Sequence, residues 1–134
     1  MFVGIDVGST AIKLGIVNTK GKLISYFNSP YNTKTISVEH VEQDPNDWFK
    51  LILKGLAEFK NSNPSCQLSA LSMCSQVNTH IFVDEHGEAL LPAIFWQDTR
   101  AKSEAKEIDS KISDEQKISW WGTPMPIDAS HVIS

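Results

Sequence analysis

The chain has 134 residues, 41% of them hydrophobic and 21% charged, with a formal net charge of -4 at pH 7. That length makes one domain, able to bury about two-thirds of its unfolded surface. An acidic balance with no basic cluster argues against a nucleic-acid partner or a membrane surface. The longest uncharged apolar block, ALLPAIFW from Ala89 to Trp96, is too short to span a bilayer and is interrupted by Pro92. Asp6 falls where a secretory leader needs its apolar segment. Cys66 and Cys74 make no CxxC pair, so the chain is expected to be cytoplasmic, with two reduced, buried thiols.

Three strands are expected first: Phe2 to Asp6, Ala11 to Asn18 and Lys22 to Asn28. In the second, Ile12, Leu14 and Ile16 share one face. NTKGK has the Asn, Lys and Gly of a tight turn, so the three form an antiparallel meander. Ser29 to His40 is polar and without periodicity. A helix follows, with Asp44 as N-cap, Pro45 at the first helical position, and Trp48, Leu51, Ile52, Leu56 and Phe59 along one face. NSNPS ends it.

LSALSMCS then reads as a short strand and HIFVDEHGEAL as a hairpin turning at Glu85 to Gly87. PAIFW is a further buried strand, stopping at QDTR. Thr99 to Ile112 is a second helix. Ser113 to Gln116 opens a third with a capping box, and Gly122 and Pro124 stop it. Trp120 and Trp121 are expected to anchor that helix in the core. PMPIDASHVIS is a loop entering another element.

Chemistry gathers at the strand ends. In Asp6-Val7-Gly8-Ser9-Thr10, Gly8 lets backbone approach a ligand, while N–H groups and two hydroxyls suit phosphate oxygens. Asp6 fits a hydrated Mg²⁺, an ion that keeps its waters and takes a single carboxylate plus phosphates. Lys13 adds positive charge. The plain alternative is a hairpin turn capped by Asp6. Trp96, Asp98 and Arg100 suit a sugar pocket, with an indole on an apolar sugar face and polar groups on its hydroxyls. Equally, Trp96 is a core residue, Asp98 or Thr99 caps the next helix, and Arg100 pairs with Asp98 or Glu104. The four histidines show no ligand spacing.

Three antiparallel strands, a helix and a returning strand resemble the opening of a ribonuclease H-like half-domain. On such sheets ligands sit beyond strand ends, so Asp6, the Gln76 region and WQDTR are expected to converge. The first loop also resembles the phosphate-one loop of the actin-like ATPases. Three further segments narrow this to the FGGY carbohydrate kinases, xylulokinase-like branch: EQDPNDWF (Glu42 to Phe49), CSQVNTHIFVDEHGEALLPAIFWQDTRA (Cys74 to Ala101) and GTPMPIDAS (Gly122 to Ser130). The similarity runs in register along essentially the whole chain, 1–134, as the N-terminal part of the first kinase domain.

That resemblance implies an α/β fold with a mixed sheet, incomplete at its C-terminus. It implies ATP and Mg as cofactors, with Asp6, Gly8, Ser9, Thr10 and Lys13 on the phosphate and metal side. It also implies a sugar or polyol substrate met by Gln76, Val77, Asn78, Trp96, Asp98 and Arg100, xylulose or a similar pentulose first among them. Val77-Asn78 stands where the xylulokinases carry Met-His, a change of reach and donor pattern that makes xylulose itself doubtful. The family's catalytic Asp lies beyond Ser134, so no catalytic residue is expected here. The remainder of the kinase chain is an expected partner, a homodimer is left open, and the piece alone is expected to be inactive. Two other functions compete. One is a non-catalytic sugar-binding or regulatory module. The other is a two-metal nuclease, disfavoured because Cys74-Ser75-Gln76 supplies no second acid.

Overall fold

Alternation in the first thirty residues becomes a meander of β1 (Phe2–Val7), β2 (Ala11–Val17) and β3 (Leu23–Pro30) in the structure, a computed structural model describing residues 1–133. β1 and β2 pair antiparallel with Ile5 opposite Leu14 and Asp6 opposite Lys13; β2 and β3 continue with Leu14 opposite Phe27. β6 (Ala70–Ser75) lies parallel to β1 on its other side, giving the order β3-β2-β1-β6. A parallel pair needs a crossover, and α1 (Pro45–Ser62) supplies it.

The period of two decides which face is buried. Val3, Ile5, Val7, Ile12, Leu14 and Ile16 are all nearly inaccessible. α1 packs on β2 and β3 with Trp48, Gly55 and Phe59 inward. Asp44 caps it through Asn46 N, and Pro45 opens it, as the sequence predicts. Gly55 was no part of the predicted face, yet it is where the helix touches the sheet: a Cβ there would meet Phe27 Cδ1 at 2.8 Å.

Two compact units arise: 1–33 with 44–77, and 34–43 with the remainder from residue 78. The first is the sheet with α1. In the second, β4 (Thr33–Thr35), β5 (Val41–Gln43) and β7 (Ala93–Ile94) make a small sheet, the order β4-β5-β7, with α2 (Lys102–Asp109), α3 (Asp114–Trp121) and α4 (Ala129–Ile133). The expected hairpin keeps its turn, with Asp84 Oδ1 accepting from His86 N and Glu88 N and Gly87 at φ 81°, but its arms pair only at Val83 and Ala89.

Several expectations are corrected. The second helix begins three residues late, because neither Asp98 nor Thr99 caps it; Thr99 N instead donates to Glu39 O, and Ala101 stands at the cap without a side-chain bond. α3 has its reciprocal capping box between Ser113 and Gln116 and stops at left-handed Gly122. Trp120 and Trp121, expected in the core, are each at least half exposed. The inward position belongs to Lys117, whose Nζ lies 2.7 Å from Asp109 Oδ1. The cysteines are free but neither is buried; Cys74 is exposed.

Candidate functional site

In the first unit the tip of β1 holds Asp6 between two neighbouring strands. Register sets Lys13 of β2 across from it, and Lys13 Nζ donates to Asp6 Oδ2 at 3.0 Å. On the other side stands Cys74 of β6, its Sγ 3.7 Å from Asp6 Oδ1. Lys13 is held more firmly protonated than an ordinary lysine by that hydrogen bond and by the carboxylate's charge. The pair stays in water's reach, with both side chains more than a third exposed.

Gly8 closes the turn, its N–H donating to Ala11 O at 3.2 Å. A Cβ at Gly8 would sit 3.3 Å from that oxygen, a tight approach to backbone, and 3.4 Å from Asp6 Oδ2, in contact with the carboxylate. Beside the pair lies a hollow of about 220 Å³ over Gly4, Asp6, Lys13, Gly15, Ser72 and Cys74, all on the sheet face opposite α1. Gln76 continues the tip, with its N–H on Val7 O at 2.9 Å, and Val77 beyond it is three-quarters exposed. Asp6, Gly8, Ser9, Thr10, Lys13, Gln76 and Val77 thus belong to one strand-end region of this unit.

Tyr31 is a residue the sequence reading missed. Its hydroxyl donates to Gly8 O, its N–H donates to Thr10 O at 3.2 Å, and its ring lies 6.0 Å from the buried Trp48. Burial, with the Asp6 charge adding to it, pushes the phenol up to about 12. Nothing in its polar surroundings between Ser29 and His40 sets it apart, because the contact joins positions that only the β2–β3 register brings together.

The second unit carries the other predicted residues: Asn78, Trp96, Asp98 and Arg100. Asn78 takes a left-handed backbone (φ 55°), which asparagine tolerates better than most residues. Trp96 is 44% exposed, its ring 5.4 Å from that of buried Phe95 and its backbone N–H on Thr79 Oγ1 at 3.2 Å. Asp98, at 1% exposure, is consumed by its own unit. Oδ2 accepts from Val41 N at 2.8 Å and from Arg100 Nη2, and Oδ1 accepts from Arg100 Nε and Arg100 N. Arg100 Nη2 reaches Glu42 Oε1 at 2.7 Å, so its second partner is Glu42 and not Glu104. Burial works against ionisation of Asp98, yet the hydrogen bonds from Arg100 and Val41 hold its carboxyl below the usual range.

The matching family model is the FGGY family of carbohydrate kinases, N-terminal domain, over residues 1–130. The chain belongs to that family. It is 30% identical over 110 residues to a xylulose kinase of Staphylococcus xylosus, covering 82% of this chain and 23% of that one. A Bacillus subtilis gluconokinase is 26% identical over 123 residues, covering 92% of this chain and 24% of its own length. The crystal structure of a gluconate kinase from Lactobacillus acidophilus superposes with a TM-score of 0.83 at 25% identity, over 96% of this chain and 26% of that one. The fold is therefore that of the FGGY kinases, an actin-like ATPase fold, and this chain spans about a quarter of the length of the relatives it matches.

Proposed function

We propose that this chain is the nucleotide-phosphate and sugar-contacting part of an ATP-dependent kinase acting on a sugar or polyol hydroxyl, a xylulose-like pentulose first. The observation carrying this is the Asp6–Lys13 pair at the tip of β1, with Gly8 keeping the backbone clear beside it, in a chain whose family match runs over residues 1–130. Mg²⁺ fits the donor set: Asp6 is a solvent-facing carboxylate, and one such group is what a largely hydrated ion uses alongside phosphates. Bound there, Mg²⁺ with ATP supplies the transferable phosphoryl group and neutralises its charge. Asp6 orders the ion's water, Lys13 offsets phosphate charge, and Gly8, Ser9 and Thr10 offer backbone and hydroxyl donors.

On the sugar side, Trp96 has the exposed indole face that an apolar sugar face needs, and Gln76 and Asn78 have the amides. Asp98 serves by holding Arg100, whose charge it shares with Glu42. Gluconate is the second reading, favoured by gluconokinase relatives that align over 92% of the chain; Val77-Asn78 counts against xylulose without naming its replacement. The 134 residues alone bind ligands weakly and do not turn over. A coupled assay with ATP, Mg²⁺ and xylulose, gluconate and glycerol in turn is expected to show no product; sustained turnover by this chain refutes that part. Calorimetry with the same sugars in the absence of nucleotide tests the kinase against a binding module: tight, ATP-independent binding overturns the kinase reading.

A further inference from the structure

The turn between β1 and β2 is gripped from outside at two carbonyls by one residue. Tyr31 O–H donates to Gly8 O and Tyr31 N–H to Thr10 O. A trans peptide sets its C=O and N–H on opposite sides, so drawing Gly8 O toward Tyr31 sends Ser9 N–H away from it, and the hold on Thr10 O does the same for Ala11 N–H. We propose that Tyr31 is a positioning residue for phosphate binding, its hydroxyl fixing the Gly8–Ser9 peptide plane so that Ser9 N–H is presented as a donor to a phosphoryl oxygen. This rests on reading Gly8 to Thr10 as the phosphate turn.

Tyr31 is in turn held by Trp48, 6.0 Å away with ring planes at 60°, in the first turn of α1. That turn is anchored by Asp44 Oδ1 on Asn46 N. The DPNDW stretch thereby has a task beyond starting a helix: it stations an indole behind the tyrosine that orients the turn. Burial keeps the phenol neutral far above physiological pH, so it remains a donor there.

The test uses the ¹⁵N-labelled 134-residue chain titrated with magnesium pyrophosphate, comparing wild type with Tyr31→Phe, which keeps the ring on Trp48. Wild-type amide signals of Gly8, Ser9 and Thr10 are expected to shift on titration. In Tyr31→Phe the Ser9 amide is expected to move before any ligand is added, and the dissociation constant to rise about fivefold, the worth of one hydrogen bond. Equal constants in the two proteins overturn the role of Tyr31 and leave the phosphate turn standing. No shift at Gly8 to Thr10 in the wild type overturns the phosphate turn and this inference with it. Should Tyr31→Phe also melt lower, Phe59→Leu, a truncation on the buried face of α1 eleven residues beyond Trp48, separates the causes. That variant loses stability but keeps the hydroxyl, so it is expected to bind pyrophosphate more tightly than Tyr31→Phe. Affinity falling in step with melting temperature in both variants makes Tyr31 merely structural and refutes the proposal.

Discussion

Replacing Asp98 by Asn probes how the second unit is held together. The carboxylate is 1% exposed and accepts from Val41 N, Arg100 N, Arg100 Nε and Arg100 Nη2, all at 3.0 Å or less. Asn removes the charge opposite the guanidinium and sets an NH₂ against a donor. Breaking a buried pair on one side costs about 3–5 kcal/mol, a large share of the roughly 5–15 kcal/mol that holds a domain folded. With a urea slope of about 1–3 kcal/mol per molar, the midpoint followed by tryptophan emission should fall by about 1 M or more. The triple variant Glu42→Gln/Asp98→Asn/Arg100→Met, which leaves neither an uncompensated guanidinium nor a stranded Glu42 carboxylate, should recover part of the loss. A loss under about 1 kcal/mol is what a solvated surface pair gives, and it would refute the buried joint. The pH dependence gives a second check. Because the folded carboxyl titrates below its usual value, its stabilisation is complete above the unfolded value of about 4 and fades as pH falls through the lower folded one. Asp98→Asn should remove that part of the acid slope and leave stability near neutral pH flat.

At Gly55, Ala gains about 1 kcal/mol of helix propensity but sets a Cβ 2.8 Å from Phe27 Cδ1 and 3.2 Å from Leu14 Cδ2, an overpacking cost of about 1–3 kcal/mol. The melting temperature should fall, and a rise would show that the helix lies further from the sheet. Gly122→Ala meets no atom within 4 Å, so its loss of about 1 kcal/mol comes from the backbone at φ 75° alone; calorimetric melting checks it. Lys13→Met should leave the melting temperature unmoved, since the Asp6 pair is exposed, while weakening pyrophosphate binding in the titration described above; unchanged binding would remove Lys13 from the phosphate side.

Parts of the fold were legible because their signals are local. Ile12, Leu14 and Ile16 alternate, Asp44-Pro45 marks a helix start, and Ser113 with Gln116 marks another; each needs only neighbours in the chain. Where a side chain had two uses, local reading chose less well. Asp98 has the chemistry of a helix cap, but bonds from Val41 and Arg100 claimed its carboxylate, and α2 started late. Trp120 and Trp121 have the hydrophobicity of a core, yet the turn of α3 placed Lys117 inward, where Asp109 meets its charge.

Sequence alone determined the order of the first strands and helix, the caps of α1 and α3, the placing of Asp6 near a strand end, and the family. Pattern, propensity and motif are properties of consecutive residues. Only tertiary structure decided that Tyr31 grips Gly8 and Thr10, that Gly55 is the helix's point of contact, and that Arg100 is shared between Asp98 and Glu42. Arg100 and Asp98 apart, those contacts join residues 21 to 58 positions apart, and sheet register and helix packing, not the nature of either residue, select which of many chemically equal partners meet.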